Sequence, residues 1–86
     1  MGESLKIRGK DMGSIEEDVA HLGFEIRHLE DNSQIIAKIG GEKTLVGKIT
    51  RPQYSLTGNE DELLVDLHMN CPHRLEIYNV FVKYET

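Results

Sequence analysis

The sequence holds a single cysteine, Cys71, two prolines, no tryptophan and, beside three tyrosines, only Phe24 and Phe81 as aromatic residues. One thiol closes no internal disulfide, so the fold has to rest on packing, and an unpaired cysteine suits a reducing compartment better than a secreted scaffold. So few aromatics leave little for a platform on which single-stranded bases stack. No apolar run approaches the ~18 residues that a membrane-spanning helix needs, and residues 1–10 carry Glu3, Lys6, Arg8 and Lys10 without the apolar stretch of a signal peptide. The glycines form neither a phosphate-binding loop nor a dinucleotide fingerprint, and no Gly-x-Ser-x-Gly or His-Glu-x-x-His occurs. We therefore expect a cytoplasmic protein with no membrane role, suited to binding rather than to catalysis.

Against these absences stand 86 residues with ten Lys and Arg and fifteen Asp and Glu, giving 10 − 15 = −5. A chain of this length buries roughly 60–65% of its unfolded surface in one core, which provides for one small α+β domain over residues 1–86 and little interior for a deep active site. A net negative charge disfavours a non-specific grip on phosphates. Residues 38–51 depart from the average: Lys38, Lys43, Lys48 and Arg51 against Glu42 give 4 − 1 = +3. Lysine-bearing strands commonly shield sheet edges, and the same strip, with Tyr54 beyond it, is the candidate binding surface.

The spacing of apolar residues gives the element order. Leu5 to Arg8 alternates apolar and charged residues up to Gly9, as a short strand does. Ser14 and Glu17 have the spacing of a capping box, Ile15, Val19 and Leu22 form one helical face, and Gly23 supplies a left-handed stop. A helix of about nine residues does not survive alone in water, so it has to lie on a sheet. Phe24, Ile26 and His28 alternate with charged residues up to a turn at Asp31-Asn32 or Asn32-Ser33. Residues 34–39 follow as a strand, and Gly40-Gly41 reads as a tight hairpin turn. This register puts Phe24, Ile26, Ile35, Ala37, Ile39 and Val46 on the core face. Leu45 and Ile49 fall on the other face, which calls for a bulge near Gly47 or a partly covered second face. Residues 60–70 fit a capped helix or an alternating strand; we favour the strand, because residues 74–84, rich in Leu75, Ile77, Val80, Phe81 and Val82, read as its partner. The expected architecture is α+β, one short helix packed on an antiparallel sheet of about five to six strands in the order β-α-β-β-β-β-β.

Reactive side chains concentrate at one place, the run Asp66-Leu-His68-Met-Asn-Cys71-Pro-His73. His68, Cys71 and His73 are of the types that hold tetrahedral zinc, with Asp66 as a fourth ligand or an orienting acceptor. Cys71 with His68 or His73 as base is the alternative, a thiol nucleophile. The reading by elimination is a small non-enzymatic protein-binding domain without a cofactor, a regulator or inhibitor that works through a sheet face or edge and the 51–60 loop. Its partner is another protein or a second copy of itself. Zinc at Asp66, His68, Cys71 and His73 is the first alternative, and nucleic-acid binding through residues 38–51 the second.

Overall fold

A computed structural model describes residues 3–51 and 61–86. The elements run β1 (Glu3–Arg8), a 3-10 turn (Gly9–Asp11), α1 (Met12–Ala20), β2 (Phe24–His28), β3 (Asn32–Ile39), β4 (Glu42–Thr50), β5 (Glu62–Leu67) and α2 (Arg74–Lys83). All neighbouring strands are antiparallel, in the spatial order β1-β5-β4-β3-β2. The α+β class and the strand at residues 62–67 agree with the sequence reading. The sixth strand does not form: residues 74–83 are a helix.

The reason lies in what the sheet has to cover. A nine-residue helix is about 13 Å long, too short to roof five strands of five to nine residues. A second helix completes the layer, and α2 supplies Ile77 and Phe81 one turn apart, both fully buried in one cluster with Ile7, Ile15, Val19 and Val65. The β-branched and aromatic residues of this segment favour a strand locally, but the buried Ile77 and Phe81, followed by the half-buried Tyr84, have helical spacing, and tertiary burial overrides propensity. Leu75, which a strand pairing would have set opposite Met69, stays exposed, as does Val82. The Arg74 guanidinium donates to the carbonyls of His68 and Leu67, fixing the start of α2 to the end of β5.

The glycine turn forms as read, with Gly40 and Gly41 at φ 58° and 85° and Ile39 opposite Glu42. The preceding hairpin turns earlier, at Glu30-Asp31, where Leu29 N–H donates to the Asn32 carbonyl at 2.8 Å. The pairing moves by an even number of residues and side-chain parity stays intact, so Phe24 meets Ala37 and Ile26 meets Ile35, all on the core face. Ile39, expected in the core, is 54% exposed at the hairpin end.

A bulge does interrupt β4. Ile36 pairs with Leu45 and Ile35 with Gly47, leaving Val46 as the extra residue. The insertion resets the alternation, so that Val46 and Ile49 both enter the core while Lys48 turns outward. The Val46 carbonyl is not orphaned; it accepts from His68 N–H at 2.8 Å. At the N-terminus of α1 the Ser14-Glu17 capping box is not formed, because the helix starts at Met12 and Ser14 lies inside its first turn. The Asp61 side chain meets the preceding 3-10 turn instead, accepting from Lys10 N–H at 3.1 Å.

Two glycines give opposite predictions. A Cβ on Gly47 would stand 2.8 Å from the Asp66 carbonyl on β5, so Gly47→Ala should destabilise by about 1–3 kcal/mol. A Cβ on Gly13 in α1 meets nothing within 4 Å, and Gly13→Ala should stabilise by roughly 0.5–1 kcal/mol through helix propensity. Urea denaturation of the two variants reads both signs.

Candidate functional site

The four candidate metal ligands diverge. Asp66 is exposed on the sheet face away from the helices, since its neighbours Val65 and Leu67 enter the core. Cys71 is buried in the core cluster, where its thiol donates to the Pro72 carbonyl at 3.4 Å and burial pushes its pKa up, against the pull of Arg74. A protonated, enclosed thiol is a poor nucleophile. His73 is exposed, adopts the left-handed conformation at φ 50° before α2 and lies 3.7 Å from Glu76. His68 contributes its main chain to the Val46 and Arg74 contacts. Among the described residues no three His, Cys, Asp or Glu side chains gather as a metal would need.

The basic strip divides in two. Lys38, Lys43 and Lys48 lie on the open face of the sheet, the one that bears neither helix. Arg51 turns to the other side and lines a cleft, and Tyr54 lies outside the described residues. The register extends the open face to Lys6, Arg8 and Arg27, with Glu25, Glu62 and Asp66 as its acids. The face therefore sums to 6 − 3 = +3, leaving −5 − 3 = −8 for the rest of the chain. Glu25 is the local anchor: Arg27, Lys38 and Lys43 approach its carboxylate within 3.5–3.8 Å. Glu62, 6% exposed, pairs with Lys6 at 3.5 Å. Among this charge lie Leu45, 39% exposed at the bulge, and the half-buried Leu64.

The cleft, of about 310 Å³, opens at the end of the two layers, between the 3-10 turn, the β2–β3 turn and the adjoining ends of β4 and β5. On its rim the side chains of Ser33, His28 and Glu16 form a chain, with His28 Nδ1 2.9 Å from Ser33 Oγ and Nε2 3.1 Å from Glu16 Oε1. In a neutral ring the carboxylate assigns the proton to Nε2, so Nδ1 accepts from the serine hydroxyl. A hydroxyl, an imidazole and a carboxylate in this order are the parts of an activated nucleophile. The imidazole, however, is 55% exposed, and Ser33 lies within the ladder between His28 and Ile49, which provides no pair of amides aimed at a substrate oxygen. What the chain does mechanically is tie α1 to the β2–β3 hairpin. Sequence reasoning placed His28 at the end of the core face but missed this link, because Glu16 reaches it through tertiary packing.

A second tie joins the helices. Tyr84 O–H donates to Asp18 Oδ2 at 2.8 Å and Lys83 Nζ lies 3.3 Å from the same oxygen. The hydrogen bond from Tyr84, with the ammonium of Lys83, holds the Asp18 carboxyl below its ordinary 3.8, and the same bond raises the Tyr84 phenol.

Comparison with protein-family models, with curated proteins and with solved structures finds no match for this chain.

Both ties are testable. A double-mutant cycle on Glu16→Ala and His28→Ala should give a coupling of about 0.2–1 kcal/mol, as for an exposed pair; a coupling of zero would mean that the contact is not kept in solution. Asp18 ionises more readily folded than unfolded, so its contribution is complete above pH 3.8 and lost as pH falls through the lower folded value. Thermal melts of Tyr84→Phe should lie below wild type at neutral pH and converge toward it at strongly acid pH.

Proposed function

We propose that the protein is a binding module that takes an acidic segment of another protein onto the open face of its sheet. The segregation of charge carries this reading: Lys38, Lys43 and Lys48 surround an exposed leucine on a face of positive sum, in a chain that is negative overall. Cations arranged in this way orient a partner and exclude like-charged ones, while Leu45 and Leu64 offer apolar contact beside them. An acidic peptide touches the face alone. A long nucleic acid also meets the repulsion of the remaining −8, and among the described residues the open face carries no aromatic ring for base stacking. A metal or thiol role at Asp66, His68, Cys71 and His73 has less support, since these side chains point to different surroundings.

The test is a titration of the labelled protein with a Glu-rich peptide containing interspersed Leu, followed by amide chemical shifts. Shifts should centre on Lys38, Lys43, Leu45 and Lys48. The triple variant Lys38→Glu, Lys43→Glu, Lys48→Glu should bind about tenfold more weakly or worse, ~1.4 kcal/mol spread over three charges. Shifts confined to α1 and α2, or unchanged binding by the triple variant, would overturn the proposal. Tighter binding of a duplex oligonucleotide at low salt would replace the protein partner with nucleic acid.

A further inference from the structure

The two edges of the sheet are not alike. At β1 the chain's own C-terminal residues close the edge: Ile7 bridges to Glu85, and Thr86 N–H donates to the Lys6 carbonyl at 2.9 Å. At β2 nothing does so among the described residues. Lys38 N–H donates to Gly23 and Leu29 N–H to Asn32, which fixes the alternation. Glu25 and Arg27 therefore turn their main chains toward β3, and Phe24, Ile26 and His28 turn theirs outward. The strand Phe-Glu-Ile-Arg-His has no proline, no lysine and no bulge, the devices that usually keep an edge from pairing.

We infer that β2 is a self-pairing edge that joins two copies of this chain, antiparallel about a two-fold axis at Ile26, into one sheet of 5 + 5 = 10 strands. The register follows from the order of charges. Centred on Ile26, Phe24 faces His28 of the second copy, and Glu25 faces Arg27 of the second copy twice over by symmetry. The three outward residues then form three opposed pairs that exchange about six main-chain hydrogen bonds. Glu25 and Arg27 occupy the non-hydrogen-bonded positions, where opposed side chains approach most closely and opposite charges attract. A slip by one residue sets outward groups against inward ones and makes no ladder. A shift of the centre to Glu25 opposes the two glutamates, and a shift to Arg27 opposes the two arginines. Only the Ile26 register satisfies both the backbone and the charges, which is how an isologous contact is specified.

The pairing uses the outward main chain of β2 and the acidic partner the open face; Glu25 and Arg27 border both, so sedimentation is run on the chain alone, without peptide, and each reading fails separately. Sedimentation of the wild-type chain from about 10 μM to about 1 mM should show a monomer–dimer equilibrium. Arg27→Glu and Glu25→Arg should each weaken it at least tenfold, and the double swap, which restores opposite charges in the same register, should bring the dimer back. Circular dichroism checks that each variant is folded. On the wild type itself, the amides of Phe24, Ile26 and His28 should exchange with solvent more slowly as concentration rises. A monomer across the whole range, a dimer indifferent to the reversals, a folded double swap that stays monomeric, or outward amides that exchange equally fast at every concentration would overturn the inference.

Discussion

The structure depends on roofing one face of a twisted sheet with two helices, neither of which is long enough to do it alone. Ile15 and Val19 from α1 and Ile77 and Phe81 from α2 are all withdrawn from solvent into one cluster with strand residues from Leu5 to Leu67. Each fully buried aliphatic or aromatic side chain contributes ~1.5–3 kcal/mol of transfer free energy, and a short helix is stable only through this burial. The remaining ties, Asp18 with Tyr84 and Glu16 with His28, lie at the margins of that core. They set the position of helices whose presence hydrophobic burial already requires.

Covering one face leaves the other to solvent, and the charges divide accordingly. Strand alternation sends Lys6, Lys38 and Lys48 outward because Leu5, Ile7, Ala37 and Ile49 beside them enter the core, and Lys43 stands opposite Lys38 on the same face. The bulge at Val46 has a part in this: without the extra residue, continued alternation would turn Lys48 inward and Ile49 outward. One inserted residue thus sets both the packing of β4 and the composition of the face opposite the helices. Gly47 accompanies it because β5 passes too near for a side chain.

Much of this was legible in the sequence. Phe24, Ile26, Ile35, Ala37 and Val46 are buried as their alternation indicates, and the paired glycines mark their turn. The β2–β3 turn was displaced without consequence for the faces, since parity survives a shift in which the paired positions move by an even number. The bulge was legible only as a conflict between Val46 and Ile49. The second helix was not legible as such, because Val80, Phe81 and Val82 carry strong strand propensity and only the whole core decides against it. The candidate ligands at 66–73 looked adjacent because sequence spacing carries no sign of direction; at this corner the chain passes from strand to helix, sending Cys71 inward and leaving Asp66 and His73 on the surface.

The pairing of β1 with β5 also has a consequence in time. Gly40-Gly41 and Glu30-Asp31 allow β2, β3 and β4 to zip through short local turns, whereas Glu3 meets Leu67 only after 67 − 3 = 64 residues of chain have been brought round. Closing so long a loop carries an entropic cost that no nearby contact offsets in advance. The meander is therefore expected to assemble first and β1 to dock late, delivering Leu5 and Ile7 to the core in one step. Unfolding, by the same route, is expected to begin where the chain's first strand and its last residues hold one another in place.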